Sequence, residues 1–170
     1  MKAISLWQPW ATLMAIGAKT IETRPATAFW ARRFRGPLVI CATKTWNRDV
    51  LCRLRDAVNE PYEFPEWDRM AEVLVAAGYD TLGKLPLGAA VCIVSVTGTI
   101  PTEYFHGESP GKFKEDELAF GNFDAGRLAL HTDPAKLIRL NPPIPVTGHQ
   151  GLWDFDEQLL DGQATGNVSS

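Results

Sequence analysis

A chain of 170 residues with 45% apolar and 22% charged residues has the balance of one ordinary globular domain, neither disordered nor fibrous. Its longest apolar run, residues 89–94, is far below the roughly 20 residues a membrane-spanning helix needs, and Gln8 and Pro9 interrupt any signal-peptide core, so no membrane association and a cytoplasmic location are expected. The net charge of −3 argues against non-specific polyanion binding by the whole surface, but the charge is uneven: residues 1–55 hold ten Lys/Arg against two acids, the remainder seven against eighteen. That asymmetry predicts a basic face on an otherwise acidic protein, unless the two halves interleave and pair as surface salt bridges.

In chain order, residues 3–7 alternate and open as a short strand. Pro9 then suits the first turn of a helix, where its missing N–H is not needed. Trp10, Leu13, Met14 and Gly17 share one helical face, and Gly17 can take the left-handed stop. Residues 20–24 form a strand, with Ile21 and Thr23 on one face and Thr20, Glu22 and Arg24 on the other. A basic loop, Arg32-Arg33-Phe34-Arg35, precedes Gly36-Pro37 and the buried-strand composition of residues 38–42. It can steer a phosphate backbone, with Phe34 for stacking, or be a solvated loop.

Asn47 is an N-cap for a helix carrying Val50, Leu51, Leu54 and Val58 on its apolar side. Pro65 begins another, with Trp67, Met70, Ala71 and Leu74 inward and Gly78 as its stop. Residues 89–100 are the clearest strand, β-branched and long, with a bend near Gly98. Strands follow at 126–131 and 137–140, the latter ending before a turn-rich Asn141-Pro142-Pro143. Strands without regularly interposed helices exclude a doubly wound parallel sheet, so the fold class is α+β: a mixed β-barrel with two to three flanking helices. Residues 161–170 are small and polar, a frayed end.

Cys41, Cys52 and Cys92 are odd in number and lack a CxxC, which speaks against a disulfide framework or zinc ribbon. His106, His131 and His149 are isolated, so neither a metal nor another cofactor is expected.

Three segments embed polar groups among apolar ones. The first runs from Ser5-Leu6-Trp7-Gln8-Pro9-Trp10 to Lys19, Glu22 and Arg24. A partly desolvated Lys19 is a phosphate contact or a general base. Glu22 can hold it or accept from a base amino group, and Arg24 can fork to phosphate or stack. The bland alternative is a structural Glu–Arg ion pair on an exposed strand. The second segment, Phe120 to Arg127, places Arg127 after a glycine turn. The third, residues 143–153, sets His149 and Gln150 between Gly148 and Gly151 and ends at Trp153, a stacking surface or a core residue.

These segments resemble the ASCH domains of the PUA-like superfamily. Leu6-Trp7-Gln8-Pro9-Trp10-Ala11 is similar to that family's opening motif, and residues 17–24 to its G-x-K-x-x-E-x-R signature. Arg35-Gly36-Pro37-Leu38 with Ala42-Thr43-Lys44 resembles its third motif, and Gly126-Arg127 with residues 145–153 its closing segments. The resemblance implies a PUA-like barrel over residues 1–156, with 46–85 as a helical insertion and 157–170 as a flexible C-terminal tail. It implies a cleft formed by Gln8, Trp10, Lys19, Glu22, Arg24, Lys44, Arg127 and Gln150 that binds RNA, DNA or a modified nucleoside.

Some family members are enzymes: one branch deacylates an acylated cytidine with a Lys, a Thr nucleophile and a Glu, and ribonuclease-like activity is also associated with the family. Lys19 and Glu22 are then the catalytic candidates. Glu22 stands where the deacylase branch has Thr, and a carboxylate does not simply replace a hydroxyl nucleophile. A third possibility is a protein-interaction module anchored by Trp7, Trp30 and Trp46.

Overall fold

The computed structural model describes residues 1–59, 65–105 and 115–161. Its spine is the long strand predicted around Val91. Numbered in chain order, the elements are β1 (Lys2–Leu6), α1 (Trp10–Ala15), β2 (Ile21–Pro25), β3 (Gly36–Ala42), α2 (Arg48–Asn59), α3 (Pro65–Ala76), β4 (Ala89–Pro101), α4 (Glu115–Ala119), β5 (Arg127–Thr132), β6 (Ile138–Pro145) and β7 (Trp153–Asp154). The strands form one mixed sheet in the order β2-β5-β4-β3-β1-β7, with β6 added on β4.

β3 runs antiparallel along one edge of β4, from Gly36↔Val96 to Ala42↔Ala89. The other edge is shared: β6 takes Ala89 to Ile93 and β5 takes Val96 to Pro101. One strand can serve two partners because it bends, and the register slips between Val96 and Gly98, where the sequence placed the bend. β1 lies parallel to β3, which makes the sheet mixed. The result is an α+β half-barrel whose end strands include β2; β2 and β1 do not pair.

Period-two alternation splits the side chains between two apolar layers. Ile4, Leu6, Leu38, Ile40, Val94, Leu128 and Leu130 fill the concave side with Met14 of α1, while Ala3, Val39, Cys41, Ile93, Leu140, Ile144 and Phe155 form the other. Each fully buried Leu or Ile contributes roughly 1.5–3 kcal/mol of apolar transfer. The helical insertion makes its own cluster, Leu54, Trp67, Met70, Ala71 and Leu74, which packs on Leu13 of α1 and on Phe120. The α3 face is the one the sequence predicts; on α2, Leu54 and Ala57 are buried and Val50 and Val58 only partly so.

Four elements differ from expectation. β6 continues through Asn141-Pro142-Pro143 to Pro145 instead of turning. Its ladder jumps from Cys92↔Arg139 to Ala90↔Ile144, so residues 140–143 bulge opposite Val91 and neither proline there has to donate. The helix α4 was not anticipated, giving four α-helices among the described residues against the two to three expected. Nor was β7, which pairs antiparallel with Lys2 and Ala3 of β1. Finally, the segment expected to be tail begins with a 3-10 turn, Glu157–Leu160, whose N-cap Asp156 accepts from Gln158 N. The amino terminus donates to Phe155 O at 3.1 Å and pairs with Glu157 Oε1 at 2.5 Å. His106 and residues 162–170 lie outside the described residues.

Candidate nucleotide-binding cavity

A cavity of about 600 Å³ lies along the open seam between β1 and β2. Five chain segments reach it: Ser5 to Trp7 with Trp10; Lys19 and Glu22 to Pro25; Thr43 and Lys44; Gly121, Asn122 and Arg127; and Thr147 to Gly151. The three polar segments picked out in the sequence therefore converge on one hollow.

Lys19 sits at its floor, 2% exposed. The chain is turned there by Gly17, whose φ of 74° favours a residue without Cβ, and Lys19 N donates to Leu13 O at 3.0 Å. Its Nζ donates to Ile21 O and lies 3.9 Å from Glu22 Oε2. Burial lowers the Lys19 pKa below the ordinary lysine value. The carboxylates of Glu22 and Glu117 oppose that shift, and the guanidiniums of Arg24 and Arg127 add to it.

Arg24 Nε stands 3.1 Å from Glu22 Oε1, an ion pair whose alignment falls short of a hydrogen bond. Its Nη2 reaches across the seam to Ser5 O at 3.4 Å, so this side chain bridges the unpaired strands. Arg127 Nη2 donates to Thr23 O at 3.2 Å. Arg127 Nε and Ser5 Oγ, both in residues that line the cavity, are buried without a hydrogen-bond partner. Trp7, 40% exposed, is an aromatic wall of the cavity, while Trp10 is half committed to the core through an edge contact with Trp67.

Two glycines fix the clearance. A Cβ at 148 would overlap Ser5 Oγ, so any larger residue there would force the Ser5 hydroxyl to turn away. A Cβ at 121 would run into the Phe123 ring and lie 3.3 Å from Lys19 Nζ.

Of the residues predicted for the site, Trp10, Lys19, Glu22, Arg24, Lys44, Arg127 and Gln150 line the cavity, with Lys44 and Gln150 exposed at its rim. Gln8 does not. It is fully buried behind the wall, where Nε2 donates to Pro86 O at 2.6 Å and Oε1 accepts from Thr12 N at 3.2 Å. Gln8 thus caps the first turn of α1 and ties it to the loop before β4.

His149 and Gln150 are exposed, and His149 meets the edge of Trp153 at 5.2 Å. Trp153 is half-buried beside Phe155 and the second apolar layer, so its core role prevails. Trp30 and Trp46 pack partly buried against the clusters, Trp30 on Phe34. Phe34 is therefore turned inward rather than available for stacking.

Sequence reasoning missed Glu117, buried at 2% exposure on α4. Its carboxylate accepts from Thr20 N at 2.6 Å, from the Thr20 hydroxyl and from Ile21 N at 3.2 Å, pinning the first residues of β2 beside Lys19. Nothing in Glu115-Asp116-Glu117-Leu118 singles that carboxylate out, because its partners lie almost a hundred residues away.

No group of His, Cys, Asp and Glu among the described residues is arranged to hold a metal ion, and no described helix is long and apolar enough to cross a membrane.

Fold and site together define an α+β half-barrel with a cationic, aromatic-walled cavity along its open seam. Solved structures similar to this chain include an ASCH protein from Zymomonas mobilis, 12% identical over 96% of both chains with a TM-score of 0.46. Two point mutants of an ASCH protein from the same organism are 12% and 13% identical, with TM-scores of 0.48 and 0.47, over 96% of this chain and 96% and 98% of theirs. ASCH is also the family that the sequence motifs resemble. Neither a family model nor a curated protein sequence matches the chain.

Proposed function

We propose that this ASCH-like domain is a cytoplasmic protein that binds RNA, taking one nucleotide unit into the cavity at the β1–β2 seam. The observation that carries the reading is the convergence of Lys19, Glu22, Arg24 and Arg127 on a hollow of about 600 Å³. A carboxylate flanked by cations suits a base, which offers amino donors beside ring and carbonyl acceptors. Trp7 supplies a face for stacking, worth about 1–3 kcal/mol per base. Few phosphates would be engaged by an acidic chain, so binding should depend only shallowly on salt.

The test is a titration of a fluorescent single-stranded RNA 6-mer of mixed sequence into the wild type, Lys19→Ala and Arg24→Ala. Each substitution should weaken binding by about tenfold or more, the loss of one charge-assisted contact. Equal affinities across the three proteins would reject the reading.

A second reading, a metal-independent hydrolase in the same cavity, is favoured by one specific observation. Thr23 lines the cavity with Lys19, whereas the Thr20 hydroxyl is engaged by Glu117. Lys19, its pKa lowered by burial, would take the Thr23 proton as the hydroxyl attacks the acyl carbon of an N-acylated nucleoside and return it to the nucleoside nitrogen as the C–N bond breaks; water would then hydrolyse the acyl–Thr23 ester, releasing the carboxylic acid and restoring the hydroxyl. Thr23→Val should abolish turnover on N-acylated nucleosides while leaving RNA affinity intact. Undiminished turnover in Thr23→Val would exclude Thr23 as the nucleophile.

A further inference from the structure

The basic loop between β2 and β3 plays no part in the cavity, yet it begins at the cavity's edge. Pro25 lines the cavity and stands opposite Arg127 in the β2–β5 ladder. The next residue, Ala26, donates to Gly126 O at 3.0 Å, which fixes where the loop leaves the sheet. Three residues later the chain enters a 3-10 turn, Phe29–Arg32.

That turn displays an aromatic ring and charges outward. Phe29 is 74% exposed, more than any other large apolar side chain among the described residues. Arg32, Arg33 and Arg35 are exposed. Arg32 and Arg33 have no acidic partner among the described residues, and Arg35 is oriented by Nη1 donating to Phe34 O at 2.6 Å and Thr99 Oγ1 at 3.3 Å. Between Glu22 and Asp49 the sequence contains no carboxylate, so this patch is unopposed along its own segment. On the other side of the Gly126 turn the surface differs: Tyr104 is exposed too, but Glu103 accepts from Gly126 N and Asp124 is exposed beside it. A polyanion leaving the cavity past Arg127 meets cations on the loop side and carboxylates on the other.

Building on the proposed RNA reading, we propose that the Phe29–Arg35 loop is a second subsite that guides a continuous single RNA strand out of the cavity, so that the ligand is an oligonucleotide and not a free nucleoside. Phe29 stacks a base next to the one held in the cavity, and Arg32 and Arg33 neutralise the phosphates that follow. The turn itself is anchored by Ala31 O accepting from Thr99 Oγ1 at 2.8 Å and by Ala31 in the core, so the subsite is held by the sheet and not by the ligand.

The experiment uses the full chain and two probes: a fluorescent 12-nucleotide single-stranded RNA of mixed sequence, and unlabelled dinucleotides of mixed sequence as competitors for the 12-mer. Three variants are compared with the wild type: an Arg32→Glu/Arg33→Glu double variant, Phe29→Ala and Arg24→Ala, each checked for an unchanged circular dichroism spectrum. The double variant should weaken 12-mer binding about tenfold and flatten the log–log salt slope by roughly 1.4, two phosphates at about 0.7 each. Phe29→Ala should weaken 12-mer binding several-fold without altering that slope. The double variant should leave the dissociation constant of the dinucleotides unchanged, Phe29→Ala should weaken them as it weakens the 12-mer, and Arg24→Ala weakens both probes.

Undiminished 12-mer affinity and slope in the double variant, with Arg24→Ala still weakening binding, would overturn the loop subsite and leave the cavity reading standing. Equal losses on both probes in the double variant would overturn it as well, because the loop would then act through the cavity. No 12-mer binding by the wild type would overturn both.

Discussion

Glu117 offers the sharpest test of how the site is assembled. Replacing it with Ala removes acceptors from two backbone N–H groups, Thr20 N and Ile21 N, and from the Thr20 hydroxyl. An orphaned buried N–H costs about 1–3 kcal/mol, and a neutral hydroxyl bond contributes about 1 kcal/mol. Removing a buried carboxylate recovers part of its desolvation, so the net loss for Glu117→Ala should be about 2–4 kcal/mol. Glu117→Gln keeps one acceptor but turns an amide donor toward the β2 backbone donors, and should cost about 1–2 kcal/mol. Urea denaturation followed by circular dichroism measures both. Thr20→Val completes a double-mutant cycle, in which a coupling of about 1 kcal/mol is expected for the hydroxyl contact. A loss below about 1 kcal/mol for Glu117→Ala would refute the view that this carboxylate pins β2.

Three further outcomes follow from the same geometry. The lowered pKa of Lys19 means that the unfolded chain holds its proton more tightly than the folded one, so stability should rise as pH climbs through the lowered folded pKa toward 10.5. Lys19→Met should be at least as stable as the wild type at neutral pH and should lose that rise; a steeper rise in the variant would contradict the burial argument. Gln8→Leu leaves Pro86 O and Thr12 N unmet and should cost about 2 kcal/mol in denaturation, while RNA affinity of the folded protein stays unchanged. Burial pushes the Cys41 thiol up to about 12 and the Cys92 thiol up as well, whereas Cys52 is partly exposed. A chromogenic disulfide reagent at pH 8 should therefore label Cys52 quickly and the other two only after denaturant is added.

Much of the fold could be read in the sequence where one local signal decides. The 89–94 apolar run, the bend at Gly98, the Gly17 stop and the inward face of α3 follow from burial on both faces, left-handed geometry and helical spacing. The misses arise where distant partners decide. β6 absorbs two prolines because its ladder with β4 skips the residues that carry them, which no local pattern reveals. Two-residue β7 exists only because β1 offers an edge. For the site, the convergence of Lys19, Glu22 and Arg24 was legible because one helix turn and one strand place them together. Gln8 was misplaced because a polar residue inside a motif carries no mark of which way it points. Glu117 was invisible because its acceptors serve a strand that is adjacent only after folding.

Amide chemical-shift mapping with the 12-nucleotide RNA tests the cavity most directly. Perturbations should cluster at residues 5–7, 19–25, 121–127 and 147–151, around the β1–β2 seam, and extend to the adjoining loop at 29–35. Perturbations confined to α2 and α3, or none at saturating RNA, would place the ligand elsewhere or remove it.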